Sequence, residues 1–332
     1  MYAFFESILR FFNDIVNNYG VAIILFTILV RLVLMPFDYK SRKSMRRMEK
    51  VNPQLQVLQK KYANDKEKLQ RKQAELYKKE GINPLGSCLP MLLTFPILIV
   101  MFGAMRNVAN LELVKTLQVL HEKVGSLTEA EQIIAALPSY EAFLADYAEP
   151  FLWIKNLWVA DSPFTSILPD ASTALATLNQ MNPVEGVLTA EQLTALKDFV
   201  GNAEIYSGII LPHYGAVAAP GWTINLILFQ LTFYKVPNGF FILPILSFVT
   251  QFFTNSLNPQ QQQAGSQQGG TGKFMKWFFP IFSLYICATS NAAFSLYWVV
   301  TNIVSMVQQI GFRMYFEAQD AKAAAKTEEV SL

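Results

Sequence analysis

The chain has 332 residues, of which 52% are hydrophobic and only 16% are charged. Soluble domains carry a charged fraction nearer to about 25%, so the composition excludes an ordinary soluble domain and predicts a protein that crosses the membrane several times. The formal net charge of +2 says little by itself, because the charges are segregated along the chain.

The first predicted element is an amphipathic helix over residues 1–19. Its apolar side chains recur at helical spacing on one face, and its polar side chains fall on the other. The apolar set is Phe4, Phe5, Ile8, Leu9, Phe12, Ile15, Val16 and Tyr19, opposite Glu6, Arg10, Asn13 and Asp14. A cleavable signal would show a basic start and an uninterrupted apolar run, so this pattern favours a helix lying in the membrane interface.

An apolar run with one arginine inside it predicts a first membrane span over residues 20–38. At a rise of about 1.5 Å per residue, Arg31 lies roughly 13 Å from Lys40, near mid-depth of a hydrocarbon layer about 30 Å thick. A cation there costs on the order of 3 kcal/mol unless it faces water or a partner. The run holds no acid, and Asp38 is two turns away, so we predict that Arg31 lines a wet cavity. The alternatives are an arginine that snorkels to the interface or pairs with an acid for structural reasons.

Residues 39–83 form a strongly basic segment, with fourteen basic residues and five acids between Lys40 and Gly81. The positive-inside bias predicts that this segment is cytoplasmic. Asn52-Pro53 resembles the start of a helix, and residues 63–65 interrupt the apolar stripe. We therefore predict an antiparallel helical hairpin, whose surface would suit anionic lipid, ribosomal RNA or an acidic protein. A solvated charged loop is the simpler alternative.

A second span is predicted over residues 84–106, and a long extracytoplasmic segment follows over residues 107–237. That segment holds five lysines against thirteen acids, which supports its placement outside the cytoplasm. It is predicted to contain several short helices, two of which match capping boxes. The matching pairs are Thr128 with Glu131 and Thr189 with Gln192. The aromatic-rich stretch 222–234 is too short to span and is predicted to pack on the surface.

The remaining chain predicts three more spans. They cover residues 238–257, 274–290 and 292–312, with a flexible cytoplasmic linker over 258–273 and a cytoplasmic tail over 313–332. The linker contains GGTGK, but the spacing of a phosphate-binding loop fails, because its first glycine position holds Gln267. The predicted fold class is thus an all-α membrane protein with five transmembrane helices, the N-terminus outside and the C-terminus inside.

Polar side chains lie within the third and fifth predicted spans. The third span carries Thr250, Gln251, Thr254 and Asn255, and the fifth carries Tyr297, Thr301, Asn302, Ser305 and Gln308. The fifth-span residues recur at helical spacing and predict a polar stripe that could share water with Arg31. Alternatively, polar residues within spans often serve only to hold helices together.

Several stretches together resemble the YidC/Oxa1/Alb3 family of membrane protein insertases. They are NYGVAIILFTILVRLVLMPF (18–37), ELYKKEGINPLGSCLPMLLTFPI (75–97), ILPILSFVT (242–250), FPIFSLYI (279–286) and LYWVVTNIVSMVQQ (296–309). They cover roughly half of the chain and include every predicted span. The resemblance implies a hydrophilic groove enclosed by five spans, open to the cytosol and to lipid but closed on the outer side.

The resemblance also implies which residues line the groove. Arg31 matches the family's arginine, and Trp298, preceded by Tyr297, matches the aromatic residue of the last span. Asn255 aligns where the family commonly has glutamine, with Gln251 a turn earlier as a substitute. The expected groove residues are Arg31, Thr250, Gln251, Asn255, Tyr297, Trp298, Thr301 and Asn302. The turn before the last span lacks the family's Pro-x-Gly pattern, which leaves the rigidity of that turn open.

The implied function is insertion of nascent transmembrane segments into the bilayer of the bacterial plasma membrane, without an enzymatic reaction. The expected partners are nascent membrane proteins, the lipid bilayer, the ribosome and the Sec translocon, with no specific DNA, no cofactor and no metal. One rival is a small transporter or anion channel with Arg31 as its substrate site. A second rival is an assembly chaperone that holds spans without inserting them.

Overall fold

Helices make up most of the chain in the computed structural model. The structure describes residues 2–81, 84–214, 220–225, 230–234, 237–257 and 271–331. Two compact units are distinguished. The first comprises Met1–Phe26, Met101–Phe248 and Phe282–Val299, and the second comprises Thr27–Val100, Val249–Ile281 and Val300–Leu332. The predicted helical fold class is confirmed at this level, and one small sheet departs from the all-α prediction.

The N-terminal helix and the first predicted span form separate helices. Helix α1 covers Tyr2–Val16, and helix α2 covers Tyr19–Lys61. Asn17 lies between them in the left-handed region, with φ 48°. The side chain of Asn18 accepts a hydrogen bond from the N–H of Val21, at 3.0 Å. These local features end α1 and start α2, as the change in sequence pattern predicts.

The predicted helix start at Asn52-Pro53 is wrong. Helix α2 continues through both residues, and Pro53 lies in its interior, as does Pro36. Extending a helix that already exists is easier than nucleating a new one. The helix therefore tolerates the loss of one backbone hydrogen bond at each proline. The break predicted at residues 63–65 is confirmed: α2 ends at Lys61, and α3 covers Lys66–Lys79 with Asp65 as its N-cap.

Helix α4 covers Pro84–Val124 and continues without interruption beyond the predicted end of the second span. In the part of the chain that the structure describes, two helices are long and apolar enough to cross a membrane. They are Tyr19–Lys61 and, within α4, Pro96–Val124. The other three predicted spans correspond to helices, but their membrane placement stays a prediction.

Short helices follow α4, as predicted for the long polar segment. They are α5 Ala130–Ala136, α6 Tyr140–Tyr147, α7 Ala171–Gln180, α8 Ala190–Gly201, a π-helix Ala203–Ile210 and α9 Leu211–His213. The capping box of Thr189 and Gln192 is confirmed. The predicted box of Thr128 and Glu131 is wrong, because α5 begins one residue later than the box requires. Glu129 is its N-cap and makes no side-chain hydrogen bond there.

These short helices pack against the second half of α4 and form an apolar core with it. Val114, Leu117, Leu120 and Val124 of α4 are all buried in it, and α8 adds Leu196. The spacing of three to four residues along α4 gives a continuous apolar face. The core therefore gives this part of the first unit a stable packing of its own.

The importance of this core can be tested with one buried leucine and one exposed isoleucine. Leu117 is fully buried, whereas Ile134 on α5 is 47% exposed. We expect Leu117→Ala to lower the free energy of unfolding by about 2–5 kcal/mol, and Ile134→Ala to have little effect. Pulse proteolysis of the full-length protein in increasing urea measures the difference. Equal midpoints for the two variants would contradict this core.

The aromatic-rich stretch 222–234 contains two strands. Strand β1, Pro220–Asn225, pairs antiparallel with strand β2, Gln230–Tyr234. Aromatic and β-branched residues favour this conformation, and a sheet of two strands needs support from neighbouring packing. Phe233 provides such support by packing edge-on against Phe164, with ring centroids 4.6 Å apart.

Three helices complete the chain. Helix α10 covers Ile242–Ser256, α11 covers Thr271–Thr289 and α12 covers Ala292–Ser331. The predicted linker over 258–273 lies outside the described residues up to residue 270. The turn predicted at residues 290–292 separates α11 from α12, and α12 continues well past the predicted end of the last span.

Candidate functional site

Arg31 lies half-buried on α2, in the second unit. The side-chain Nε2 of Gln308 on α12 donates a hydrogen bond to the Arg31 carbonyl oxygen, at 3.2 Å. This bond brings the polar stripe of α12 against α2 at the level of the arginine. Gln308 belongs to the predicted stripe but was not among the predicted groove residues.

Asp38 interacts electrostatically with Arg31, although the two residues are about two helical turns apart on α2. It attracts both Arg31 and Arg42, while the two arginines repel each other. Burial lowers the pKa of the Arg42 guanidinium, and Arg31 lowers that pKa further, although Asp38 opposes both effects. Asp38 thus interacts with two arginines, and its one negative charge does not neutralise both of them.

Two of the predicted groove residues join α10 to α12. Asn302 Nδ2 donates to Thr250 Oγ1 at 3.2 Å, and Thr254 Oγ1 donates to the Asn302 carbonyl at 3.4 Å. Asn302 is buried. These contacts have the form expected of polar residues that hold helices together.

Other predicted groove residues leave buried polar atoms without a partner. Gln251 Nε2 donates to Asn255 Oδ1 at 2.9 Å. Within the described residues, the buried Nδ2 of Asn255 and Oγ1 of Thr301 have no hydrogen-bond partner. Leaving a buried polar atom without a hydrogen bond costs about 1–3 kcal/mol of stability. A water molecule or another polar ligand bound beside these two atoms would remove that cost.

Tyr297 and Trp298 lie in the first unit, near the start of α12. Both are buried, and both pack against Phe294, with ring centroids 6.3 Å and 5.7 Å apart. The buried Trp298 indole N–H has no hydrogen-bond partner within the described residues. Tyr297 and Trp298 therefore belong to an aromatic cluster around Phe294.

The turn between α11 and α12 is held firmly although it lacks the Pro-x-Gly pattern. Asn291 Oδ1 accepts from the N–H of Phe294 at 2.9 Å, and Asn291 Nδ2 donates to the carbonyl of Met105 on α4 at 3.2 Å. The N–H groups of residues 292 and 293 donate to the carbonyls of Val159 and Leu157, at 2.9 and 2.8 Å. These bonds tie the turn to α4 and to residues 157 and 159.

The segment 151–163 connects several helix ends in the first unit. Besides accepting hydrogen bonds from the start of α12, it supplies Trp158, whose ring packs edge-on against Tyr19 at the start of α2. Phe151 packs so close to Gly20 that a Cβ at residue 20 would collide with its ring. The ends of α2 and α12 at this segment are thus tied to the same stretch of chain.

A buried carboxylate fixes the start of α10 to this segment. Asp161 is fully buried and accepts from the N–H groups of Phe240, Phe241 and Leu243, at 2.8, 3.2 and 2.7 Å. It also accepts from Trp153 Nε1 at 3.2 Å. A Cβ at Gly239 would collide with this carboxylate, which explains the glycine.

Asn238 completes the attachment of α10. Its Nδ2 donates to the carbonyls of Asn156, Val159 and Ala160 at 3.0, 3.2 and 2.9 Å. Its Oδ1 accepts from the N–H of Asn156 at 2.9 Å. Sequence reasoning missed both Asn238 and Asp161, because their partners lie about 80 residues away along the chain and no short motif marks them.

Comparison with known proteins gives one family over nearly the whole chain. The family model described as "60Kd inner membrane protein" matches residues 11–319. Proteins named "Membrane protein insertase YidC" are similar to this chain. The one from Anaeromyxobacter sp. (strain K) is 27% identical over 319 residues, which are 96% of this chain and 37% of that protein. The one from Clostridium tetani is 44% identical over 112 residues, 32% of this chain and 51% of that protein. The chain thus spans between about a third and a half of the length of these relatives.

Proposed function

The chain belongs to the 60Kd inner membrane protein family, the YidC/Oxa1 family, and on that premise we propose that it is a membrane protein insertase. It would move nascent transmembrane segments from the cytosol into the bilayer of the bacterial plasma membrane. The observation that carries this proposal is the family match over residues 11–319, together with relatives whose names state this activity.

We propose five spans with the N-terminus outside and the C-terminus inside. Helices α2, α4, α10, α11 and α12 would each contribute one span. The basic hairpin after the first span and the acidic excess of residues 107–237 support this orientation. Among the described residues, the two helices that are long and apolar enough to cross a membrane support the first two of these spans.

In the proposed mechanism the groove opens to the cytosol and to lipid, with Arg31 inside it. The hydrogen bond from Gln308 to the Arg31 carbonyl supports a polar contact between α2 and α12, and the one from Asn302 to Thr250 supports a polar contact between α10 and α12. The unsatisfied polar atoms of Asn255 and Thr301 support the presence of water. Arg31 attracts the acidic or polar tail of a substrate, and the water lowers the cost of moving that tail part of the way across.

The same mechanism requires a closed outer side. The segment 151–163 supports such closure, because it holds the starts of α2, α10 and α12 through hydrogen bonds and ring contacts. This attachment gives the outer segment a role in insertion that the sequence did not suggest.

The free energy for insertion can come from the substrate itself. Each strongly apolar residue contributes about −0.3 to −0.6 kcal/mol on entering the bilayer centre, so a span of about 20 residues gains several kcal/mol. We therefore propose that no nucleotide is hydrolysed, that no cofactor is used and that the protein is not an enzyme.

The basic hairpin is the proposed contact for the cytosolic partners of insertion, the ribosome and the Sec translocon among them. In the second unit it comprises the end of α2, a turn at residues 62–65 and α3. Lys61 and Lys68 lie over the ring of Tyr62, at 5.7 and 5.5 Å from its centroid. These contacts fix two cations at the tip of the hairpin.

Deleting the hairpin is expected to impair insertion more than neutralising one lysine does. Each lysine near an anionic surface contributes only about 1 kcal/mol, so the exposed Lys66→Gln variant keeps most of the attraction. A variant with residues 53–79 replaced by a short glycine-serine linker loses eight of the fourteen basic residues of the segment. The insertion yield from ribosome-bound nascent chains measures both variants, and equal yields would contradict this role.

Reconstitution in liposomes tests the proposed function against its rivals. We expect a purified substrate with one span and a short acidic tail to become protease-protected in liposomes with this protein, and much less so in protein-free liposomes. Solute flux through the same vesicles without insertion would favour a transporter or channel. Binding of substrate without any gain in protected material would favour an assembly chaperone.

A further inference from the structure

A cavity of about 640 Å³ lies in the second unit, just beyond the apolar run of α2. Helix α2 contributes Arg42, Met45, Arg46 and Glu49 to its wall, and the end of α10 contributes Ser256. Helix α12 contributes side chains between Gln309 and Glu317. A volume in this range matches the cavities that hold small ligands or a few residues of a peptide.

Three arginines line the cavity, and one of them, Arg313, is paired with Glu317. Arg42 and Arg46 are four residues apart on one face of α2, and both are half-buried. The attraction between Arg42 and Asp38 is shared with Arg31, as described above. Partial burial strengthens the interaction of such cations with an anion, because less water screens their charge.

One carboxylate of the protein already pairs with a cation of this wall. Arg46 forms an ion pair with Asp320 of α12, and Lys50 lies 3.6 Å from the same carboxylate. The guanidinium of Arg46 also lies over the ring of Phe316, 5.2 Å from its centroid. Because Asp320 is half exposed, at 51% of its side-chain surface, an incoming carboxylate can compete with it for Arg46.

The rest of the wall suits a polypeptide of variable sequence. Met45 and Met314 are flexible apolar side chains of the kind found at surfaces that accept many partners. The side-chain Oε1 of Gln309, also on the wall, is buried and has no hydrogen-bond partner in the described part of the chain. Apolar, cationic and hydrogen-bonding groups therefore face the same space.

From these contacts we propose that the cavity receives the acidic segment of an incoming polypeptide before that segment reaches Arg31. Arg42 and Arg46 bind its carboxylates, and Asp320 occupies Arg46 until the substrate displaces it. The proposal rests on the insertase function proposed above and names the first binding site on the substrate's path. The part of α12 beyond residue 313 then also has a role, because its Asp320 prevents weakly binding anions from occupying Arg46.

The ion pair between Arg46 and Asp320 favours a peptide carboxylate over a lipid phosphate as the ligand. Glu49 and Glu317 also line the cavity, and they repel a carboxylate and a lipid phosphodiester alike, because each of these anions carries one negative charge. Burial raises the pKa of Glu49, while Arg46 and Arg313 lower it. The ligand that the protein itself supplies to Arg46 is a carboxylate, which is the chemistry that the proposal assigns to the substrate.

Peptide binding to the purified full-length protein in detergent tests the proposal. The probe is a fluorescent peptide of ten residues with four aspartates, and the comparison peptide carries asparagines instead. We expect the aspartate peptide to bind more tightly, and R42Q/R46Q to weaken its binding by about tenfold or more. The matched control K43Q/R47Q removes the same charge from exposed positions of the same helix and is expected to weaken binding only slightly.

A second variant changes binding in the opposite direction. Asp320→Asn removes the internal competitor, so we expect it to bind the aspartate peptide more tightly than the wild type, a gain that misfolding cannot produce. Arg31→Ala is expected to retain peptide binding while losing insertion, which separates this site from the proposed function. Equal losses in R42Q/R46Q and K43Q/R47Q would overturn the proposal. Unchanged peptide binding by R42Q/R46Q, with loss of phosphatidylglycerol binding, would assign the cavity to a lipid and overturn it as well.

Discussion

Insertion of a substrate with a short acidic tail is expected to be abolished in Arg31→Ala and retained in Arg31→Lys. The lysine keeps the positive charge at residue 31, whereas alanine removes it. A carboxylate that enters a region of low dielectric constant loses its hydration, and a nearby cation offsets part of that cost. Because Asp38 already interacts with both Arg31 and Arg42, the positive charge of this region exceeds what one carboxylate neutralises.

The measurement is the protease-protected fraction of substrate in liposomes that hold equal amounts of each variant. A substrate whose tail carries asparagine instead of aspartate is the control, and we expect its insertion to depend much less on Arg31. Leu32→Ala is a second control, since Leu32 is the exposed neighbour of Arg31 on α2. Normal insertion of the acidic-tailed substrate by Arg31→Ala would show that charge attraction at this residue is not needed.

The second large effect is expected for Asp161→Ala, which should lower the free energy of unfolding by about 3–5 kcal/mol. The variant leaves three backbone N–H groups at the start of α10 and the Trp153 indole without their buried acceptor. Buried donors without an acceptor lower the stability of the folded protein. The negative charge at the start of α10 also interacts favourably with the helix dipole. Asp161→Asn keeps an acceptor oxygen and should lose less.

Thermal unfolding of the purified protein in detergent measures this loss, with Asp146→Ala as the control because Asp146 is exposed. If the attachment of α10 also closes the outer side, liposomes that hold Asp161→Ala should leak ions at temperatures where the wild type does not. Equal melting temperatures for Asp161→Ala and Asp146→Ala would contradict the structural role of this carboxylate.

Periodic features of the chain could be predicted from its sequence. The apolar runs, the amphipathic α1 and the polar stripe on α12 each repeat with the period of a helix, and each appears as a helix. The hydrogen bond between Gln308 and the Arg31 carbonyl was not predicted, although Gln308 belongs to the predicted stripe. Their membrane topology and their role in a groove rest on charge bias and family membership.

Features that depend on context could not be predicted. Asn52-Pro53 is a sound local signal for a helix start, but α2 already runs through it. Asp161 and Asn238 carry no local signal, because their donors and acceptors come together only when the chain has folded. Arg42 and Arg46 were two cations among fourteen, and only the cavity beside them separates them from the rest.

The most direct test of the account is water access to position 31 from each side of the membrane. A variant with both native cysteines, Cys88 and Cys287, changed to serine would carry Arg31→Cys, with Val33→Cys as the control on the exposed apolar face of α2. A membrane-impermeant thiol reagent is added to the cytosolic or to the outer side of oriented vesicles. We predict labelling of residue 31 from the cytosolic side alone, and no labelling of residue 33. Labelling of residue 31 from the outer side, or from neither side, would contradict a groove that is open to the cytosol and closed outside.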